Sequence, residues 1–265
     1  MKILVPIKQV PESSNVKMDP ATGTVIRTGV ETVVNPLDLY ALETALRLKA
    51  QYGCEVTALS MGPPSAMRVL REAAAMGCDK GALLSDRRFG GADTWATSYT
   101  LSLAAKKLGP FDIIIAGERA TDGDTAQVGP AIAAWLDLPA LTYVSKIINI
   151  KDNRIYLERL VEEGYEINES PLPCLVTVVK EIASPRLPTL KGKIRSRDME
   201  IPVLSADDLD VNPDYIGLKG SPTKVVKIET PSISRGGKMI KVTDDESLGR
   251  AVDEIIALLE EKGFV

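Results

Sequence analysis

The sequence has no histidine. That absence removes the commonest general base, the usual hydrolytic triads and most transition-metal sites together, so demanding chemistry has to come from a bound cofactor. Cysteine is scarce: Cys54, Cys78 and Cys174 lie far apart with no C-x-x-C spacing, which argues against a zinc site or a disulfide framework and fits a reducing compartment. All three are expected as small buried hydrophobes. No apolar run approaches the roughly 20 residues that span a bilayer, and the first strand starts at Lys2, read as leaving no room for a signal peptide. A soluble, cytoplasmic protein with no membrane span is the expectation. Positive charge is not in excess either: 32 Lys and Arg against 36 Asp and Glu give a net charge of −4, so no basic field gathers nucleic acid. The common dinucleotide fingerprint, G-x-G-x-x-G after the first strand, is missing as well.

What the 265 residues do contain is alternation, in a composition 45% hydrophobic that supports a substantial core. Apolar runs (ILVPI, EVTALSM, GALLS, FDIIIAG) alternate with helical patterns (PLDLYALETALRLKAQYG, PPSAMRVLREAAAMG, DTWATSYTLSLAAKKLG). That order predicts a doubly wound α/β domain over 1–180 with a mostly parallel sheet covered on both faces. The stretch RIYLERLVEEGYEINES reads as an antiparallel edge hairpin turning near Glu163 and Gly164, followed by the buried strand PCLVTVVK. Residues 181–243 are proline-rich and lack periodicity, so they are read as an extended arm lying on another chain. An arm folded back on its own domain is the alternative. Over 244–265 a helix with apolar residues Leu248, Val252, Ile255, Ile256 and Leu259 on one face is expected to dock on that same partner.

The run GERATDGDTAQVGP, 117–130, follows the strand FDIIIA. Pro130 is tolerated only in the first helical positions, which puts the helix cap at Gln127 or later. The amides of Gln127, Val128 and Gly129 then point outward, unpaired, at the positive end of a helix. Before them Asp122, Gly123, Asp124 and Thr125 supply turn chemistry, with Gly123 able to take a positive φ. Such a turn binds a pyrophosphate through backbone amides alone, leaving the carboxylates for ribose hydroxyls or for fixing the loop. An ordinary polar-capped turn is the alternative. Neighbouring strand ends at Pro6 to Lys8 and Ser60 to Gly62, and the Asn35-Pro36 turn, are the candidate companions of an adenine nucleotide.

Four stretches together resemble the β subunit of electron transfer flavoprotein: KILVPIKQVPE at the start, the Asn35-Pro36 turn, the G-x-x-A-x-D-x-D-x-x-Q loop at 117–127, and PRLPTLKGKIRSRDMEI at 185–201. The resemblance implies a heterodimer with an α subunit that carries FAD, and a β subunit that binds an adenine nucleotide and docks acyl-CoA or related dehydrogenases. It places the nucleotide site on Pro6, Asn35 to Asp38, Met61, and Gly117 to Val128, including Asp122, Gly123, Asp124, Thr125, Ala126 and Gln127. It places the dehydrogenase anchor on Leu190. Ordinary members hold AMP; the form DGDTAQVGP, with small residues at Gly123, Thr125, Ala126 and Val128, looks like the group that binds a second FAD and bifurcates electrons from NADH to the α-subunit FAD and a low-potential acceptor such as ferredoxin or flavodoxin. GADTWATS resembles that group too and implies that Thr94 lies near the flavin. The basic residues from Arg186 to Arg197 are read as a solvated or partner-facing stretch, and Met61 and Met76 as core filler.

Overall fold

A computed structural model describes residues 1–12, 31–226 and 238–264. The chain runs β1 (Lys2–Pro6), β2 (Gln9–Pro11), β3 (Thr32–Val34), α1 (Pro36–Tyr52), β4 (Glu55–Met61), α2 (Met67–Met76), β5 (Lys80–Leu84), α3 (Thr94–Leu108) and β6 (Ile113–Gly117). It continues with α4 (Val128–Leu136), β7 (Ala140–Lys151), β8 (Arg154–Val161), β9 (Gly164–Pro171), β10 (Cys174–Val178), α5 (Leu190–Asp198), β11 (Val203–Leu204), α6 (Gly217–Gly220) and α7 (Asp245–Glu261).

Nine strands form one sheet in the order β11-β5-β4-β1-β6-β10-β7-β8-β9. Pairing is parallel from β11 to β7, and β7, β8 and β9 pair antiparallel. The anticipated edge hairpin is therefore present, and β7 extends it. The β7–β8 turn at Asp152 and Asn153 has both residues at positive φ, 51° and 58°, the twist that antiparallel strands favour. β2 and β3 make a separate two-stranded ribbon that the sequence pattern did not reveal.

Alternation along each strand feeds two cores. Ile3, Val5 and Val56 pack with Leu42 and Leu46 of α1 and Val69 and Leu70 of α2. Leu4, Leu59 and Ile114 pack with Leu101 and Ala104 of α3 and Ile132 of α4. Each fully buried Leu or Ile contributes about 1.5–3 kcal/mol. Helix ends follow from the local residues. α1 starts with proline and stops at Gly53, whose left-handed φ of 69° lets its amide reach the Lys49 carbonyl.

From β1 the chain builds outward through β4 and β5, then returns so that β6 lies on the other side of β1. The β1–β6 junction is thus a topological switch point, where ligands of open α/β sheets bind beyond the strands' carboxyl ends.

The compact first unit reaches residue 226, not 180, and 227–265 form a second unit. Residues 181–226 fold back on the domain instead of running out as an extended arm. Arg186 grips the buried Glu43 through Nε at 2.7 Å and Nη2 at 3.1 Å. Arg195 donates to the carbonyls of Ala74 and Cys78 at the end of α2, and Arg71 of α2 donates to those of Ser196 and Met199. β11 then adds an edge strand beside β5. Residues 227–237 of the anticipated arm lie outside the described residues. In the second unit α7 is capped by Asp244, which accepts from Ser247 N at 2.8 Å. Its five anticipated apolar residues, Leu248, Val252, Ile255, Ile256 and Leu259, are 37–55% exposed. No helix among the described residues is long and apolar enough to cross a membrane.

The approach of α5 to α2 leaves no room at Gly192, where an added Cβ would lie 2.0 Å from the Ala75 carbonyl oxygen. Gly192→Ala should displace α5 and cost about 1–3 kcal/mol in urea unfolding; an unchanged transition would show that the two helices do not meet there.

Candidate functional site

Pro6, Met61 and Gly117 end β1, β4 and β6, three neighbouring strands, so the fold gathers them at one edge. Asn35 joins that edge to the loop after β6. It is fully buried, its Nδ2 donates to the Arg119 carbonyl at 2.9 Å, and its Oδ1 accepts from Thr121 N at 3.2 Å. Asp38, in the first turn of α1, accepts from Lys8 N at 2.7 Å. Gly117 is required by contact: an added Cβ would stand 2.5 Å from Asp38 Oδ1 and 2.9 Å from the Leu37 carbonyl. Burial pushes the Asp38 carboxyl up to about 7, against the lowering effect of the Lys8 amide.

The loop itself turns on Ala120, whose carbonyl accepts from Gly123 N and Asp124 N. Its carboxylates are taken up in fixing it. Asp122 pairs with Lys8 Nζ at 2.6 Å, and Asp124 pairs with Arg119 Nη1 at 3.0 Å. These exposed pairs contribute little to stability, but they neutralise acids that would otherwise repel an anion. Gly123 does not take the left-handed conformation anticipated for it. Asp124 and Ala126 do, at φ 53° and 55°. For alanine this costs about 1–2 kcal/mol, a strain of the kind that gathers at binding sites.

Gln127 is the N-cap of α4, the earliest position that Pro130 allows, with right-handed φ −99° and ψ −26° and no side-chain cap. A left-handed residue followed by a right-handed one turns successive amides to a common concavity. Among the described residues, the amides of Thr125, Ala126, Gln127, Val128 and Gly129 have no hydrogen-bond acceptor. Gly129 lets the helix approach β10 closely, since a Cβ there would meet Thr177 Cγ2 at 2.6 Å.

A second helix begins beside this one. Thr94, first residue of α3, donates its hydroxyl to Gln127 Oε1 at 3.1 Å. The two N-termini differ: α3 is sealed by Asp93, whose side chain accepts from Trp95 N and Ala96 N, whereas α4 is open. The partial positive charge of a helix start is therefore left uncovered at α4.

Sequence reasoning missed Lys8 as partner of the loop and Asp93 as the seal of α3. It also missed an aromatic cluster of Trp95, Tyr99, Trp135 and Tyr215, with ring centroids 4.9–6.4 Å apart. A signal was available there: the chain has only two tryptophans, and one follows Thr94 directly. Leu190 lies elsewhere, at the start of α5. It is 77% exposed and is flanked on the same helix and its approach by exposed Leu187 and Ile194. A cavity of about 530 Å³ lined by Arg47, Ser145, Lys146, Glu158 and Glu181 shares none of the predicted residues and mixes charges of both signs.

A family model described as "Electron transfer flavoprotein domain" matches residues 22–209. The chain belongs to the electron transfer flavoprotein family. Electron transfer flavoprotein subunit beta of Thermoanaerobacterium thermosaccharolyticum is 47% identical over 256 residues, 96% of this chain and 98% of that protein. The caffeyl-CoA reductase-Etf complex subunit CarD of Acetobacterium woodii is 45% identical over 266 residues, the whole of both chains. The acryloyl-CoA reductase electron transfer subunit gamma of Anaerotignum propionicum is 43% identical, with 97% of this chain and 98% of that one covered. Membership in this flavoprotein family implies a flavin or nucleotide.

The Asp38 carboxyl makes the flavoprotein's stability depend on pH. Because its folded value is raised from 3.8 to about 7, the native state holds the proton that the unfolded chain releases. Its contribution is complete below pH 4 and is lost as pH rises toward 7. Asp38→Asn should thus gain on the wild type between pH 4.5 and 8, by at most about 4 kcal/mol, in urea unfolding at the two pH values. A constant difference would mean that Asp38 titrates normally.

Proposed function

We propose that the chain is the β subunit of a heterodimeric electron transfer flavoprotein and that its 117–128 loop holds FAD. The observation that supports this is the row of acceptor-free amides from Thr125 to Gly129, bordered by the small side chains of Gly123, Thr125 and Ala126. In this reading the amides bind the diphosphate without a cationic side chain. Lys8 and Arg119 hold Asp122 and Asp124 aside, and Asn35 fixes the loop to α1. Pro6, Asp38 and Met61 form the floor at the strand ends, with Thr94 on the flank where the flavin lies. The chemistry supplied by bound FAD is acceptance of a hydride from NADH and division of the electron pair between the α-subunit FAD and a low-potential acceptor such as ferredoxin or flavodoxin.

AMP is the second reading, because the same amides suit any adenine nucleotide phosphate. The purified heterodimer distinguishes them by the nucleotides it releases on denaturation. Two FAD per dimer are expected; one FAD with one AMP would end the bifurcation reading.

Two surfaces suit partners in this scheme. The apolar residues of α7 fit burial against the α subunit. Leu187, Leu190 and Ile194, set among Lys191, Lys193 and Arg197, fit an acyl-CoA or related dehydrogenase. Leu190→Ala should preserve folding and flavin content while slowing electron delivery to that dehydrogenase by about tenfold. Unchanged reduction kinetics would remove Leu190 from the docking surface.

A further inference from the structure

Asp93 stands where separate pieces of chain meet. Its Oδ1 accepts from Trp95 N at 3.0 Å and Ala96 N at 3.1 Å, closing the start of α3. Its Oδ2 accepts from the Thr223 amide at 3.0 Å and the Thr223 hydroxyl at 2.8 Å. Its own amide donates to the Ser221 hydroxyl at 2.8 Å. Residues 221–226 are the last of the first unit and lead toward the second. The residue after Asp93 is Thr94, which donates to Gln127, the cap of the open helix. One unbroken run thus joins Thr223, Asp93, Thr94 and Gln127.

We propose that Asp93 is a positioning residue for loop 121–129. By fastening the exit segment 221–223 to the start of α3, it holds Thr94 against Gln127 and keeps the open amides of α4 aligned for a diphosphate. This rests on the nucleotide reading above and adds a dependence to it: retention of the nucleotide is set by whether the exit segment is seated. Asp93 acts through Thr94 and touches no ligand. Two oxygens facing two different segments explain why a carboxylate stands here, since a serine or threonine cap would serve α3 alone.

The chemistry offers a selective cut. Asp93→Asn keeps one carbonyl oxygen for the amides of α3 and places an NH₂ group opposite the Thr223 amide, donor against donor. In the purified two-subunit complex, D93N should release its loop-bound adenine nucleotide about tenfold faster, with a smaller fall in unfolding midpoint than Asp93→Ala, which also loses the α3 cap. Hydrogen exchange at the amides of 121–129 should quicken as well. Thr223→Val, which leaves Asp93 and its cap in place, should shift both readings in the same direction. D93N combined with Thr94→Val should exceed neither single variant by much, because both cut one run. Wild-type release and exchange in D93N and T223V, with only Asp93→Ala destabilised, would make Asp93 a helix cap and overturn the proposal. A complex with no nucleotide in the loop would instead remove the cofactor reading. Exchange at 121–129 then still decides the linkage, and an unchanged rate in D93N rejects it.

Discussion

Asn35 has no exposed surface, and its carboxamide spends both polar atoms on one loop: the amide nitrogen on the Arg119 carbonyl and the oxygen on Thr121 N. Its own backbone amide donates to the Lys8 carbonyl. One residue, through its side chain and its backbone, thereby sets the spacing between the ends of β1, β6 and α1. A buried polar group is tolerated only when satisfied, so the three segments cannot drift independently. Gly117 follows from that spacing, because strand and helix pass too closely there for any side chain.

On that frame an acidic loop becomes compatible with an anionic ligand. The carboxylates of Asp122 and Asp124 turn to Lys8 and Arg119, whereas the amides beyond them have no acceptor among the described residues. Charge is cancelled between side chains, and the backbone is left with partial positive charge at the start of α4. The left-handed Ala126 and the absence of a side-chain cap at Gln127 set the direction of these amides.

Much of this was legible because burial and turn chemistry leave local marks. The strands of the parallel sheet announce themselves as short apolar runs between amphipathic helices. Pro130 limited the cap to Gln127 or later, and the Glu163-Gly164 turn marked the hairpin. The segment 181–226 left no such mark. Its helix α5 is held by Arg195 donating to carbonyls at the end of α2, by Arg71 of α2 donating back, and by a glycine contact, none of which produces hydrophobic periodicity. Nor did β11, two residues long, or the ribbon of β2 and β3, three residues each. Within the site, chain-local chemistry named the loop and the strand ends. The pairings of Lys8 with Asp122 and of Asp93 with Thr223 span 114 and 130 residues, and only the folded chain brings them together.

The two tryptophans, Trp95 and Trp135, stand with ring centroids 5.1 Å apart in one cluster beside Thr94. Tryptophan emission therefore originates at a single spot next to the α3 start. An isoalloxazine ring at that flank would absorb such light by resonance transfer. In the proposed FAD reading the two tryptophans would gauge occupancy with no dye attached.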